Sequence, residues 1–183
     1  MTRIVAGHWG GRRLQTPKGD GTRPTSDRVR EAMFSSLESE LGGLDGCRVL
    51  DLFAGSGALG LEALSRGAEH ADLVESDRRA ASVIARNIND LDATAAELHR
   101  TTAERFVGDL RAQPYDLVLL DPPYACGTDE VGALLTVIIR TGGLEPDGIV
   151  GVERSTRTPF TWPDALTGLR DKAYGETHLW YGR

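Results

Sequence analysis

A glycine-rich loop between a short apolar strand and a helix constrains the fold of this chain more than any other segment. Residues 49–53 (Val-Leu-Asp-Leu-Phe) are typical of a buried strand, and residues 55–60 have the spacing G-x-G-x-x-G. A helical pattern runs from residue 59 to residue 65, and strand-like and helix-like segments alternate from there to residue 153. This alternation predicts a parallel sheet with helices on both faces.

The other elements follow from the same patterns. A helix capped by Ser26 should end before Gly42, and further helices are expected over residues 78–90 and 131–140. Strands are expected over residues 71–75, 96–101, 115–120 and 148–153. Two closing strands, near 169–174 and 177–181, have no helix between them, so the last should be antiparallel. Residues 3–8 and 11–15 flank Trp9-Gly10 and predict an N-terminal β-hairpin.

Length and composition indicate an ordinary globular protein. The 183 residues suit one domain, and no apolar run is long enough for a membrane helix or a signal peptide. The two cysteines, Cys47 and Cys126, exclude a disulfide scaffold, and we expect a cytoplasmic protein. The four histidines are scattered without ligand spacing, so no metal site is expected.

The charge is distributed unevenly along the chain. The net charge is −6, yet residues 1–30 hold seven basic and two acidic groups, which gives +5 there and −11 elsewhere. A cationic end on an acidic body should be attracted to phosphate. We therefore expect RNA contacts from the basic residues of this segment: Arg3, Arg12, Arg13, Lys18, Arg23, Arg28 and Arg30.

The glycine loop predicts an adenosine-containing cofactor. Glycines permit a tight turn and close approach of a ligand, and Glu75, 20 residues after Gly55, is placed to accept both ribose hydroxyls. Asp51, at the end of the strand before the loop, would repel a pyrophosphate but suits the cationic amino group of a methionine moiety. This favours S-adenosylmethionine over NAD. We expect Asp77 to cap the next helix rather than to bind ribose.

Asp121-Pro122-Pro123-Tyr124 follows an apolar strand and is the predicted catalytic loop. Loops at the carboxyl ends of parallel strands form the ligand site of such folds, so this loop should open beside the glycine loop. The Asp121 carboxylate and the Pro122 carbonyl can each accept one N–H of an exocyclic amino group, which directs its lone pair to the methyl donor. Tyr124 would stack on the base. The prolines fix the backbone and remove donors.

With these motifs, the chain resembles the bacterial guanine-N2 methyltransferases of small-subunit (16S) ribosomal RNA, the family that modifies guanine 966. Residues 51–57 and 121–124 carry the general resemblance, and residues 3–7, 11–14 and 22–34 carry the more specific one. It implies a seven-stranded class I methyltransferase fold, mostly parallel, with a small N-terminal hairpin. It also implies that Thr25 holds the methionine end and that Thr102 and Ala103 lie near the adenine. The predicted cofactor contacts are Thr25, Asp51, Phe53, Gly55, Gly57, Glu75, Ser76, Thr102, Ala103 and Asp121.

The expected organisation is an RNA-binding extension over residues 1–25 and an S-adenosylmethionine-binding domain over residues 26–183. The expected partner is ribosomal RNA, either bare or within an assembled small subunit, and we expect a monomer that does not bind membranes. The main alternative is an adenine-N6 methyltransferase acting on DNA or RNA, which has the same loop and cofactor. A protein glutamine methyltransferase would more typically have Asn at position 121, and the catalytic loop counts against an oxidoreductase.

Overall fold

The computed structural model describes residues 2–17, 26–110 and 113–183. Strands and helices alternate through most of the described chain. The strands are β1 (Thr2–Arg3), β2 (Arg13–Leu14), β3 (Arg48–Asp51), β4 (His70–Val74), β5 (Ala96–His99), β6 (Tyr115–Leu120), β7 (Leu144–Ser155), β8 (Gly168–Tyr174) and β9 (Thr177–Gly182). The helices are α1 (Asp27–Leu41), α2 (Ala58–Ser65), α3 (Arg78–Leu91), α4 (Ala103–Gly108) and α5 (Thr128–Arg140).

Seven strands form one sheet in the order β5-β4-β3-β6-β7-β9-β8. Neighbouring strands from β5 to β7 are parallel, and β9 is antiparallel to both β7 and β8. β1 and β2 form a separate antiparallel pair. The predicted fold class, with its antiparallel closing strand and N-terminal hairpin, is therefore confirmed. In the part of the chain that the structure describes, no helix is both long and apolar enough to cross a membrane.

Helices cover both faces of the sheet, as the alternation predicted. On one face, a cluster that includes Phe34 of α1, Leu61 of α2 and Ile84 of α3 packs on β3, β4 and β6. On the other face, Val107 of α4 and Leu135 of α5 belong to a second buried cluster. Parallel strands covered in this way are apolar on both sides, which explains the near-continuous apolar run of β6.

Local capping residues set the helix boundaries. The Ser26 hydroxyl accepts a hydrogen bond from the Val29 N–H, and α1 stops at Gly42, whose φ of 75° is left-handed. Asp77 accepts from the N–H groups of Arg79 and Ala80 at the start of α3, in the capping role predicted for it. α4 was not predicted, because its six residues are too few to show a helical period.

A buried carboxylate attaches the N-terminal hairpin to the rest of the protein. Glu62 of α2 is 0% exposed and accepts hydrogen bonds from the N–H groups of Val5 at 2.7 Å and Ala6 at 2.9 Å. It also pairs with the guanidinium groups of Arg30 (3.5 Å) and Arg66 (2.8 Å). Since Ile4 and Leu14 join the main apolar core as well, the hairpin is part of the same folded unit.

Glu62→Ala should lower the free energy of unfolding by about 3–5 kcal/mol, because two backbone N–H groups lose their acceptor and the buried Arg30 guanidinium loses one of its carboxylate partners. Urea denaturation measures the loss, and limited proteolysis should show earlier cleavage within the first 17 residues. Glu69→Ala, at an exposed position shortly after α2, is the matched control and should change stability by no more than about 0.5 kcal/mol. Equal stabilities of the two variants would contradict this account.

Candidate active site

A cavity of about 530 Å³ opens at the carboxyl ends of the parallel strands. Segments that follow β3, β4 and β6 line one part of it, and the end of β7 with the β8–β9 turn lines the other. Its wall includes Phe53, Gly55, Glu75, Ser76, Asp121, Pro122, Pro123, Tyr124, Glu153, Arg154, Tyr174 and Glu176. The glycine loop and the Asp121–Tyr124 loop therefore open into one space, which is the edge where open parallel sheets bind ligands.

The glycine loop turns sharply to start α2. Gly55 and Gly57 have φ values of 57° and 80°, a left-handed conformation that side chains other than glycine rarely adopt. Gly60 serves a different purpose, because a Cβ there would lie 2.0 Å from Cδ2 of Leu73. The third glycine of the motif thus lets α2 pack closely against β4.

Glu75 is held rigidly at the cavity wall. One carboxylate oxygen accepts from the Gly55 N–H at 2.8 Å, and the other accepts from the Asp77 N–H at 2.7 Å. Each oxygen retains a further lone pair. Glu75 can therefore accept hydrogen bonds from two neighbouring hydroxyl groups and keep those from the Gly55 and Asp77 N–H groups.

Asp51 lies beneath the glycine loop and is fully buried. Its Oδ2 accepts from the Gly60 N–H at 3.0 Å, and its Oδ1 has no hydrogen-bond partner among the described residues. Burial raises the pKa of Asp51 to about 7. The backbone N–H groups of Gly60 and Phe53 oppose this shift, and the negative charge of Glu75 adds to it. A buried carboxylate with an unpartnered oxygen beside the glycine loop suits a ligand with a cationic group.

The Asp121–Tyr124 loop begins directly after β6. Pro122 is buried, whereas the Tyr124 side chain is 69% exposed and forms part of the cavity wall. The loop closes with a hydrogen bond from the Cys126 N–H to the Pro123 carbonyl at 2.9 Å. Arg154 of β7, which sequence reasoning did not identify, donates to the Cys126 carbonyl at 2.7 Å and so ties the end of the loop to the sheet.

The structure brings some, but not all, of the predicted cofactor residues to the cavity. Phe53, Gly55, Glu75, Ser76 and Asp121 line it, whereas Asp51 and Gly57 are buried and do not line it. Thr102 caps α4 through its hydroxyl and Ala103 is buried in the core, so neither lines the cavity. Thr25 lies outside the described residues. The roles assigned to these residues remain predictions.

The basic residues of the N-terminal segment occupy different environments. Arg3 pairs with Asp27 at 2.8 Å and stays largely exposed, Arg12 donates to the Asp90 carbonyl, and Arg13 and Arg28 are exposed. Lys18 and Arg23 lie outside the described residues.

Arg30 was predicted to contact RNA, and its position contradicts this. Its side chain is 0% exposed and is held by Asp27, by Glu62 and by the Arg3 carbonyl. Its charge is compensated inside the protein.

A second polar cluster lies away from the cavity, and the spacing of the histidines did not predict it. Side-chain atoms of His70, Asp72 and Glu97 lie within 4.8 Å of one another. Asp72 accepts from the Tyr115 hydroxyl at 2.7 Å and lies 2.6 Å from the His99 ring, while the Arg48 guanidinium is 3.6 Å away. The hydrogen bond to Asp72 raises the pKa of His99. These contacts connect neighbouring strands.

The chain is similar to known proteins over nearly its whole length. Residues 2–183 match the family described as conserved hypothetical protein 95. It is 39% identical to ribosomal RNA small subunit methyltransferase D of Escherichia coli K12 over 175 residues, which are 95% of this chain and 85% of that protein.

Solved structures give the same result. A candidate methyltransferase, yhhF of Escherichia coli, superposes with a TM-score of 0.84 at 32% identity, covering 98% of this chain and 96% of that one. A hypothetical protein of Thermus thermophilus gives a TM-score of 0.82 at 27% identity, with 99% and 98% covered. The similarity therefore includes both the sheet and the N-terminal hairpin.

The raised pKa of Asp51 predicts a specific pH dependence of stability. The unfolded carboxyl loses its proton near pH 3.8 and the native one near 7, so the native state binds more protons between these values. Stability should therefore fall as pH rises through this window, by at most about 1.4 kcal/mol per pH unit, and level off above it. Asp51→Asn lacks this titration. Urea denaturation of both proteins from pH 4.5 to 8 should show the variant gaining relative stability with pH, and parallel curves would contradict the prediction.

Proposed function

We propose that this chain methylates the exocyclic N2 of a guanine in small-subunit ribosomal RNA, with S-adenosylmethionine as the methyl donor. The chain belongs to the family described as conserved hypothetical protein 95 and is similar to ribosomal RNA small subunit methyltransferase D. The observation that carries the proposal is the shared cavity of the Asp121–Tyr124 loop and the Glu75 carboxylate. The Asp121–Tyr124 loop fits an amino group on a planar target, and the Glu75 carboxylate fits the ribose of an adenosine-containing donor.

The cofactor would occupy the part of the cavity beside the glycine loop. Glu75 would accept hydrogen bonds from the two ribose hydroxyls, while Phe53, Gly55 and Ser76 would form the nearby wall. The Asp51 carboxylate, whose Oδ1 has no hydrogen-bond partner among the described residues, would stabilise the methionine ammonium group. When bound, S-adenosylmethionine supplies a methyl group that is already activated on a sulfonium, so the protein's main task is alignment.

The Asp121–Tyr124 loop would orient the target amino group. The Asp121 carboxylate and the Pro122 carbonyl each accept one N–H, which turns the nitrogen lone pair towards the donor. Tyr124, largely exposed on the cavity wall, stacks on the base and fixes its plane. Asp121 or water takes the proton that the amino group loses after methylation.

The N-terminal segment would hold the RNA backbone. Residues 1–25 form the proposed RNA-binding extension on a domain of residues 26–183, with Arg3, Arg12, Arg13, Lys18, Arg23 and Arg28 as phosphate contacts. Such contacts position the protein on RNA without reading bases. We propose that the protein acts as a monomer in the cytoplasm, on bare ribosomal RNA or on an assembled small subunit.

One experiment tests this function against its alternative. Wild-type protein is incubated with labelled S-adenosylmethionine and bare small-subunit RNA, assembled small subunits or duplex DNA, and the products are digested to nucleosides. The proposal requires N2-methylguanosine from one of the ribosomal substrates. N6-methyladenine as the only labelled product would instead establish the adenine alternative.

Asp121→Ala should reduce kcat by about a hundredfold or more, because the target amino group loses a charged acceptor that orients it. Cofactor affinity, measured by calorimetry, should change little. Asp129→Ala, at an exposed position in the first turn of α5, is the matched control and should keep near-normal turnover. Near-normal turnover in the Asp121 variant would refute the proposed role of this carboxylate.

Replacing exposed arginines should weaken RNA binding more than cofactor binding. Arg13→Ala and Arg28→Ala should each reduce the slope of log affinity against log salt concentration by about one, as expected for the loss of one phosphate contact. Arg140→Ala, at the far end of α5, serves as the control. Fluorescence anisotropy at several salt concentrations measures the slope, and a slope shared by all four proteins would remove Arg13 and Arg28 from the RNA interface.

A further inference from the structure

We infer that Glu153 is the residue that selects guanine, by accepting the N1–H of the target base beside the amino group held by Asp121. This inference rests on the proposed function and adds a specificity-determining residue to it. Glu153 lies on β7, which sequence reasoning described only as a strand.

The register of the sheet places Glu153 beside Asp121. β6 and β7 are parallel, with Leu120 opposite Val152, so Asp121 and Glu153 are the next residues along the two chains. Adjacent strands lie about 4.8 Å apart, and side chains in register point to the same face. Both residues line the cavity, and Glu153 is only 8% exposed. The cavity therefore offers two neighbouring carboxylates to a base that enters it.

A pair of acceptors matches the Watson–Crick edge of guanine and of no other common base with an exocyclic amino group. Guanine presents its N1–H directly beside its N2 amino group, so both carboxylates receive donors. Adenine and cytosine present an unprotonated ring nitrogen beside the amino group, and the lone pair of that nitrogen would face the largely buried Glu153 carboxylate. A flipped base is read through this edge.

The test compares two substrate RNAs that differ only at the target base, which is either guanine or 2-aminopurine. 2-Aminopurine keeps the N2 amino group but has an unprotonated N1. For wild type we expect kcat/KM to favour guanine by about a hundredfold or more. In Glu153→Gln the amide can donate to the N1 of 2-aminopurine, so activity on guanine should fall while the preference shifts by about a hundredfold towards the analogue. Because the analogue also lacks O6 for both enzymes, the change in the ratio isolates the N1 contact.

Two further variants separate selection from folding. Glu153→Asp keeps the carboxylate and should retain the preference for guanine. Glu145→Gln, at the other end of β7, should leave the ratio unchanged. A structural role for Glu153 would lower the rates on both bases equally and leave their ratio constant.

The outcomes distinguish this inference from the function on which it rests. If Glu153→Gln leaves the ratio of kcat/KM on guanine to kcat/KM on 2-aminopurine unchanged, selection by Glu153 is overturned while N2 methylation stands. Equal kcat/KM of the wild type on the two bases overturns it as well, and this second measurement does not depend on the folding of any variant. If wild type forms no N2-methylguanosine on any ribosomal substrate, the proposed function fails and this inference fails with it.

Discussion

The parallel pairing of β3, β6 and β7 is the constraint on which both parts of the cavity depend. β3 pairs with β6 and β6 with β7, so the segments that follow these strands emerge at one edge. Side chains alternate between faces along a strand, and a slip of one residue would place Arg154 instead of Glu153 beside Asp121. Under the proposed function, the register of two central strands therefore decides whether the target base meets a carboxylate or a guanidinium.

The buried charge of Glu62 is the second constraint, and it explains how so small an extension is held. Burying a carboxylate is costly unless it is paired and fully hydrogen-bonded, and Glu62 meets two backbone N–H groups and two guanidinium groups. The same network uses the charge of Arg30 inside the protein. The +5 charge of residues 1–30 is therefore only partly available to a phosphate backbone.

Local signals allowed much of the fold to be predicted, and long-range contacts explain what was missed. The glycine loop, the Ser26 and Asp77 caps and the final antiparallel strand each depend on a few consecutive residues. β7 starts at Leu144 although Pro146 and Gly148 indicate a turn, because pairing with β6 extends it. Glu62 and Arg154 carry no sequence signal at all, since charged residues are usually exposed and only the assembled sheet and helices show what surrounds them.

The distribution of charge separates two tasks that nucleic-acid enzymes must combine. If the proposed function holds, exposed arginines of the N-terminal segment attract the phosphate backbone, whereas carboxylates such as Glu75 line the cavity that receives the base. Under the proposed function, the RNA backbone is held outside the cavity and only a base that has left its stack can reach Asp121. An acidic protein with a basic extension is thus consistent with an RNA substrate, because the surface that binds phosphate and the cavity that reads the base have opposite electrostatic requirements.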